Sequence, residues 1–331
     1  MVMFCLGRFK VAITDSDYGS CDIEEMILSP FGADVTLFQC RTEDDVIRCC
    51  ADADALLNQY APITRRVIES LQRTKVIVRY GVGVDNIDLK AATEKGIFVA
   101  NVIYDLTDVA DHTVGLILSL VRKIPWADKN VKSGLWDWKS VQPISRLKGK
   151  TVGIIGFGRI GRLVAQRLRG FEVKIVVYDP YIPPELFSKF GVEKVDFKTL
   201  IRESDIITIH APLTDETKHM IGEEELKSMK RNAIVINVSR GKIIDERALY
   251  KALKEGWISG AGLDVMESEP PEKGNPLLKL SNVIITPHMA WYSRESLYEI
   301  RRIAAEEVAR VLSGQVPMNL VNKDVLEKIR F

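Results

Sequence analysis

The chain has 331 residues, 46% of them apolar and 27% charged, with a formal net charge of +1. Those values fit a globular protein with enough length for two domains and a sizeable core. They exclude a broad basic field for nucleic acid or a membrane surface, and no apolar run is long enough to span a bilayer. The start, Met1 to Lys10, is too short and mixed for a signal peptide, so a cytoplasmic protein without a membrane partner is expected. The cysteines, Cys5, Cys21, Cys40, Cys49 and Cys50, form no C-x-x-C, and none of the histidines adds a metal-ligand spacing. They read as small buried or half-buried thiols, with no metal.

In chain order, Lys10 to Thr14 and Ala33 to Phe38 read as strands. Ala55-Leu56-Leu57, Val76-Ile77-Val78 and Ile97-Phe98-Val99 read as short buried strands, with helical segments such as Ile63 to Arg73 and Leu89 to Lys95 between them. Such alternation predicts a parallel sheet covered on both faces, so residues 1–104 read as a small α/β domain. Asp105 to Arg122 is a long helix by the spacing of Val109, Thr113, Leu116, Ile117 and Leu120. Residues 123–150 then hold Trp126, Trp136 and Trp138, punctuated by Gly134, Pro143 and Gly149. The stretch reads as a loop wrapped on the core or an arm buried against a second copy; an exposed aromatic stretch of this kind is costly, which favours the second.

Thr151 to Pro180 organises the rest. An apolar strand leads into Gly156-Phe157-Gly158-Arg159-Ile160-Gly161, a helix follows, and a second strand, Lys174 to Tyr178, ends at Asp179. Strand, G-x-G-x-x-G, helix, strand and acid make a dinucleotide fingerprint. The glycines give a tight turn, close backbone approach to a pyrophosphate and close helix packing; the helix start offers free N–H groups, and the acid can accept from a ribose diol. Further strands read at 205–209, 233–238, 260–265 and 282–286, helices at 223–229 and 246–256, and a closing helix at 293–312.

In open α/β sheets ligands bind beyond the carboxyl ends of the strands. Arg240, in Ser239-Arg240-Gly241, follows one strand; Glu269 lies in the loop after Asp264; and His288 follows Thr286-Pro287. Singly, each has an ordinary explanation, a surface ion pair or a satisfied loop residue. Together at one rim they suit hydride transfer to a 2-oxo acid. A guanidinium grips the carboxylate and polarises the ketone. An imidazole donates the proton, and a glutamate bonded to it fixes its tautomer and favours its charged form. The nicotinamide of NAD supplies the hydride. The other histidines read differently: His112 as packed or solvated, His210 as lining the cofactor groove, His219 as a surface residue.

These residues resemble the D-isomer-specific 2-hydroxyacid dehydrogenase family. The likeness runs through Val78 to Asp88, the glycine fingerprint, Asn237 to Gly241, Gly262 to Val265 with Glu267 to Pro270, and Thr286-Pro287-His288. It implies two Rossmann-like or flavodoxin-like parallel-sheet domains with a cleft between them. The substrate domain would be discontinuous, 1–104 plus 293–331, and the NAD domain would run from 105 to 292 with a dimerisation arm at about 123–150. The catalytic set would be Arg240, Glu269 and His288. The expected NAD contacts are Val82, Gly156, Gly158, Arg159, Ile160, Gly161, Asp179, His210, Ala211, Pro212, Thr217, Val238, Ser239 and Asp264. The substrate would meet Arg79, Tyr80, Val82, Gly83, Arg240 and Trp291, its carboxylate on backbone N–H groups of the loop 79–83, with Tyr80 and Trp291 offering flat apolar surface. His288 to Ser293 and Val321 to Asp324 resemble the C-terminal binding protein branch, whose corepressors keep a dehydrogenase core; an NAD-sensing, peptide-binding scaffold is therefore the competing reading. Family members acting on phosphorylated substrates place an arginine where this chain has Gln59, with Arg65 and Arg66 nearby. A neutral amide is a poor dianion clamp, so a small unphosphorylated 2-oxo acid is expected.

Overall fold

The computed structural model describes residues 9–328. Cys5, one of the thiols noted above, lies outside the described residues. The chain divides into two compact units, one comprising residues up to Asp105 together with those from Ser293 onward, the other Leu106–Tyr292.

The first unit alternates β1 (Phe9–Ile13), α1 (Asp22–Leu28), β2 (Ala33–Leu37), α2 (Glu43–Cys50), β3 (Ala55–Asn58), α3 (Arg65–Ser70), β4 (Val76–Arg79), α4 (Leu89–Glu94) and β5 (Phe98–Ala100). All strands are parallel, in the order β2-β1-β3-β4-β5. That is the flavodoxin-like order, whose direction reverses between β1 and β3. Its strands read as unbroken apolar runs because helices cover both faces. Ala12, Leu56, Ile77 and Val99 pack on Val46, Val67, Ile68 and Ala92 on one side. Helix starts are set by side chains: Thr42 and Asp45 form a reciprocal capping box on α2, and Asp88 accepts from Ala91 N on α4. Among the cysteines, Cys40 and Cys50 are buried, and Cys21 and Cys49 half-buried.

The second unit opens with α5 (Thr107–Arg122) and α6 (Ile124–Lys132). It then winds through β6 (Thr151–Ile155), α7 (Arg159–Leu168), β7 (Lys174–Tyr178), α8 (Pro184–Lys189), β8 (Glu193–Lys194), α9 (Phe197–Glu203), β9 (Ile206–Ile209), α10 (Glu223–Ser228), β10 (Ile234–Asn237), α11 (Glu246–Glu255), β11 (Gly260–Leu263) and β12 (Val283–Ile285). The parallel sheet has the order β12-β11-β10-β9-β6-β7-β8. Its direction reverses between β6 and β9, which is where a doubly wound sheet opens its ligand crevice. Two apolar layers cover it. Leu116, Ile117, Val164 and Leu168 pack on one face; Leu200, Leu226, Leu249 and Leu253 pack on the other. Finally α12 (Arg294–Leu312), capped by Ser293 on Ser296 N, returns to the first unit against α1.

Residues 123–150 contain α6 and a single 3-10 turn, Trp138–Val141, instead of a plain loop. Pro125 in the first turn and Lys129 and Lys132 near the last suit a helix start and end. Trp136 is 88% exposed and Trp138 73%. Between Tyr181 and Glu203 the sequence shows no clear period. The helices there, α8 and α9, have six and seven residues, fewer than two turns, so an apolar stripe hardly repeats.

Candidate active site

The second unit brings the fingerprint and the candidate catalytic residues to the carboxyl edge of its sheet. The chain leaves β6 at Gly156, where φ is +87°, and Gly158 caps α7. A Cβ on Gly161 would lie 2.3 Å from Gly156 O, so only glycine lets α7 start so close to the turn. A Cβ on Gly158 would meet nothing within 4 Å. The turn is therefore open at Gly158, where α7 starts with Arg159 and Ile160. Asp179, beyond β7, is 8% exposed; its Oδ2 accepts from Phe157 N at 2.7 Å and its Oδ1 from Tyr181 N at 2.9 Å. It thus ties the glycine turn to the end of β7 while keeping acceptor capacity for a diol.

After β9 come His210, Ala211 and Pro212. His210 Nε2 lies 2.9 Å from Thr208 Oγ1, while its Nδ1 is shielded from solvent and has no hydrogen-bond partner among the described residues. Burial pushes its pKa down to about 3, so the ring is neutral. Thr217 Oγ1 donates to Pro212 O at 2.6 Å, and Ser239 Oγ donates to Ala211 O. An open glycine cradle, an acid at the end of the second strand and an unsatisfied buried nitrogen together fit a dinucleotide. Asp264 is 1% exposed, and its carboxylate accepts from Thr286 Oγ1, Met289 N and Ala290 N at 2.6, 2.9 and 2.9 Å. It anchors the turn that carries His288.

The acid–base pair is in direct contact: His288 Nδ1 and Glu269 Oε2 are 2.6 Å apart. The other glutamate oxygen accepts from Met266 N at 3.0 Å. Burial would raise the Glu269 carboxyl; the hydrogen bond and charge of His288, the Met266 amide and Arg240 outweigh it, and the group stays below its usual value. Nδ1 is committed to the carboxylate, so proton delivery falls to Nε2. Arg240 sits between β10 and a short 3-10 turn, its Nη1 donating to Ser239 O at 2.8 Å and its carbonyl accepting from Asn237 Nδ2 at 2.9 Å. Val238 is buried beside it. Trp291 is half-buried, edge-on to Tyr292 with ring centroids 5.6 Å apart.

Arg79, Tyr80, Val82 and Gly83 belong to the first unit, Arg79 as the last residue of β4 and the others in the loop after it. The loop is held by Val102 N donating to Gly81 O at 3.0 Å and Asn101 Nδ2 to Val82 O at 2.7 Å. The Val82 and Gly83 amides donate to no acceptor among the described residues, and the Val82 side chain is exposed. Tyr80 corrects the sequence reading. It is 3% exposed, its hydroxyl donates to buried Glu24 at 2.8 Å, and Tyr18 packs edge-on to its ring. It supports the loop from behind and offers no flat surface to a ligand. Arg301 completes this cluster, donating from Nη2 to Glu24 Oε2 at 2.6 Å.

Gln59 is 2% exposed and its Oε1 accepts from Asp17 N at 2.8 Å; Arg65 pairs with Glu94, and Arg66 with Asp44 and Glu43. His219 is 3.0 Å from Glu267 at the surface. His112, read from sequence as packed or solvated, touches Thr286 Oγ1 at 3.0 Å. Sequence gave no hint of that contact.

A doubly wound nucleotide sheet with an Arg, Glu and His set on its carboxyl rim defines an NAD-dependent oxidoreductase. Residues 114–290 match the model of the D-isomer specific 2-hydroxyacid dehydrogenase NAD binding domain, and the chain belongs to that family. It is similar to a glyoxylate reductase of Korarchaeum cryptofilum, 44% identical over 287 residues, covering 85% of this chain and 86% of that protein. It is also similar to a D-3-phosphoglycerate dehydrogenase of Methanocaldococcus jannaschii, 48% identical over 284 residues, covering 85% of this chain and only 54% of that longer protein. Among solved structures, a D-lactate dehydrogenase from Aquifex aeolicus complexed with NAD and lactic acid superposes with a TM-score of 0.85 at 30% identity, covering 95% of this chain and 99% of that one. The chain is a 2-hydroxyacid dehydrogenase with NAD as its cofactor. No helix among the described residues is long and apolar enough to cross a membrane.

Proposed function

We propose that the protein interconverts a small, unphosphorylated 2-oxo acid and its D-2-hydroxy acid, with His288 as acid and base, Glu269 as its charge partner and Arg240 as the substrate's cationic clamp. The observation that carries this reading is the 2.6 Å contact between His288 and Glu269 on the rim that also bears Arg240. In reduction, Arg240 binds and polarises the 2-oxo acid, and His288 Nε2 passes a proton to the ketone oxygen as that atom gains charge. Glu269 offsets the imidazolium charge before transfer and keeps the ring oriented. Bound NADH supplies the hydride, and Gly156 to Gly161 with Asp179 would hold it. The Val82 and Gly83 amides suit a substrate carboxylate. Gln59 is turned inward and Arg65 and Arg66 are engaged by carboxylates, which leaves that stretch without a ready phosphate clamp.

The relatives reported above are reductases and dehydrogenases, which supports a metabolic enzyme over a corepressor-like scaffold of the C-terminal binding protein kind. Steady-state kinetics with NADH over glyoxylate, apolar and thioether 2-oxo acids, and 3-phosphohydroxypyruvate test the substrate. If 3-phosphohydroxypyruvate gives the highest kcat/KM, the unphosphorylated reading is wrong. We further infer a homodimer through the arm at residues 123–150, whose Trp136 and Trp138 are exposed in the single chain.

A further inference from the structure

His288 sits in a left-handed backbone conformation, φ +51°. A non-glycine residue keeps such a conformation only where its surroundings over-determine it. Here the surroundings are Asp264. The His288 amide donates to Asp264 O at 2.8 Å, and the next two amides, Met289 N and Ala290 N, donate to its two carboxylate oxygens at 2.9 Å each. Thr286 Oγ1 donates to Asp264 Oδ1 at 2.6 Å. That hydroxyl has a single proton, and the carboxylate takes it. The 3.0 Å contact between Thr286 Oγ1 and His112 Nε2 therefore needs its proton from the imidazole. His112 Nε2 also lies 3.6 Å from Asp264 Oδ1. A chain of polar contacts thus runs from α5, through Thr286 and Asp264, to the backbone of the acid–base histidine, entirely inside the second unit.

We propose that His112 is a positioning residue for His288. By donating from Nε2 to Thr286 Oγ1 it directs the threonine proton onto Asp264, and so fixes the carboxylate that bolts the 286–290 turn in place. Without that donor the hydroxyl can turn away, Asp264 Oδ1 loses a hydrogen bond in a buried site, and the turn gains freedom at His288. The effect should fall on the chemical step, because sub-ångström misplacement of a proton donor slows transfer more than it weakens binding.

The inference rests on the dehydrogenase reading for its kinetic test but not for its spectroscopic one. His112→Phe keeps the ring's bulk and removes the donor; His112→Gln places an amide N–H near the same point; Thr286→Val breaks the chain from the other end at nearly constant volume. With NADH and the best 2-oxo acid, His112→Phe and Thr286→Val should each lower kcat about tenfold, with the KM for NADH changed less than about twofold and a larger primary isotope effect from deuterated NADH. His112→Gln should recover most of the loss, and the double variant should lose no more than the worse single one. By proton NMR, the downfield signal of the His288 Nδ1–H held by Glu269, assigned by its absence in His288→Gln, should move upfield and broaden in the Phe and Val variants and return in the Gln variant. A Phe variant within twofold of wild type in kcat, a loss confined to NADH affinity, a folded Gln variant as poor as Phe, or an unmoved His288 signal would each overturn the proposal. If His112→Phe does not fold, Thr286→Val alone carries the same kinetic and NMR outcomes. If the wild type reduces no 2-oxo acid, the substrate reading fails and the NMR arm still decides the role of His112.

Discussion

At His288 the ring is held from one side by a carboxylate and its backbone from the other. Removing the ring should abolish the proton step and spare the cofactor: His288→Ala is expected to lower kcat by about 10²- to 10⁴-fold, with NADH affinity, read by fluorescence titration, nearly unchanged. The Glu269 carboxyl lies below its usual value, so it is ionised through the neutral range and acts on His288 as a full charge. Glu269→Gln keeps the shape and removes that charge. The ring then loses its charge partner, and reduction should fail at a lower pH than in the wild type. A pH–kcat/KM profile unchanged in the variant would separate the two residues. Asp179 argues similarly for cofactor choice: a carboxylate beside the ribose repels a 2′-phosphate, so kcat/KM should be higher with NADH than with NADPH.

One turn holds two of the candidate catalytic side chains through close backbone contact rather than charge. A Cβ on Gly241, directly after Arg240, would lie 1.9 Å from the Met266 carbonyl carbon, and the loop at Met266 leads to Glu269. Gly241→Ala should therefore disturb Arg240 and Glu269 together, costing about 1–3 kcal/mol of stability or more and a larger share of activity than of NADH binding; a variant with wild-type melting temperature and rate would show the contact to be soft. On α12, Glu307 is 2% exposed and accepts from Met318 N and Asn319 N at 2.7 and 3.0 Å. Glu307→Gln sets an amide N–H against one of those donors, and about 1–3 kcal/mol of stability should be lost, measured by denaturant melts.

This is also the scale at which sequence stops informing. The fingerprint, the long α5 and α12, and the Arg240, Glu269 and His288 set were readable because each depends on local period or on its place after a strand. His112 was not, because the threonine it serves is 174 positions away. Tyr80 was misread for a related reason: Glu24, which draws its hydroxyl inward, lies 56 positions back and on another element. Asp264 sits where a cofactor contact is expected, and only the fold shows that its carboxylate also holds the turn after β12.

At the scale of the whole molecule, acid stability follows from His210. Its folded pKa is about 3, against about 6.5 in an unfolded chain. The unfolded state therefore binds a proton that the folded state refuses, so this contribution is complete above about pH 6.5 and is lost progressively as the pH falls toward 3. Melting temperature should drop from pH 7 to pH 5 more steeply in the wild type than in His210→Gln; parallel slopes would remove His210 as the cause.

The proposed dimer places the arm at residues 123–150 in its interface. Leu135, Trp136 and Trp138 are 46%, 88% and 73% exposed, more apolar surface than a lone chain ordinarily leaves in water. At the amino ends of the strands of the second unit, opposite the candidate active site and lined in part by other residues of the arm, lies a cavity of about 480 Å³. Trp126, Val121, Leu120, Ile206 and Ile234 give it apolar walls, and Asn130, Ser140, Asn232 and Ser281 a polar rim. An arm that carries both exposed aromatic side chains and part of an apolar hollow offers the two kinds of surface that an isologous contact across a two-fold axis pairs. A stable pair needs roughly 800 Å² buried on each copy, and burial of large aromatic side chains supplies area efficiently. Sedimentation velocity at micromolar concentration should find a dimer. Trp136→Ser with Trp138→Ser should shift it to monomer while circular dichroism stays that of the folded chain. A wild-type monomer at that concentration, or a double variant that remains dimeric, would show that the arm is not the interface.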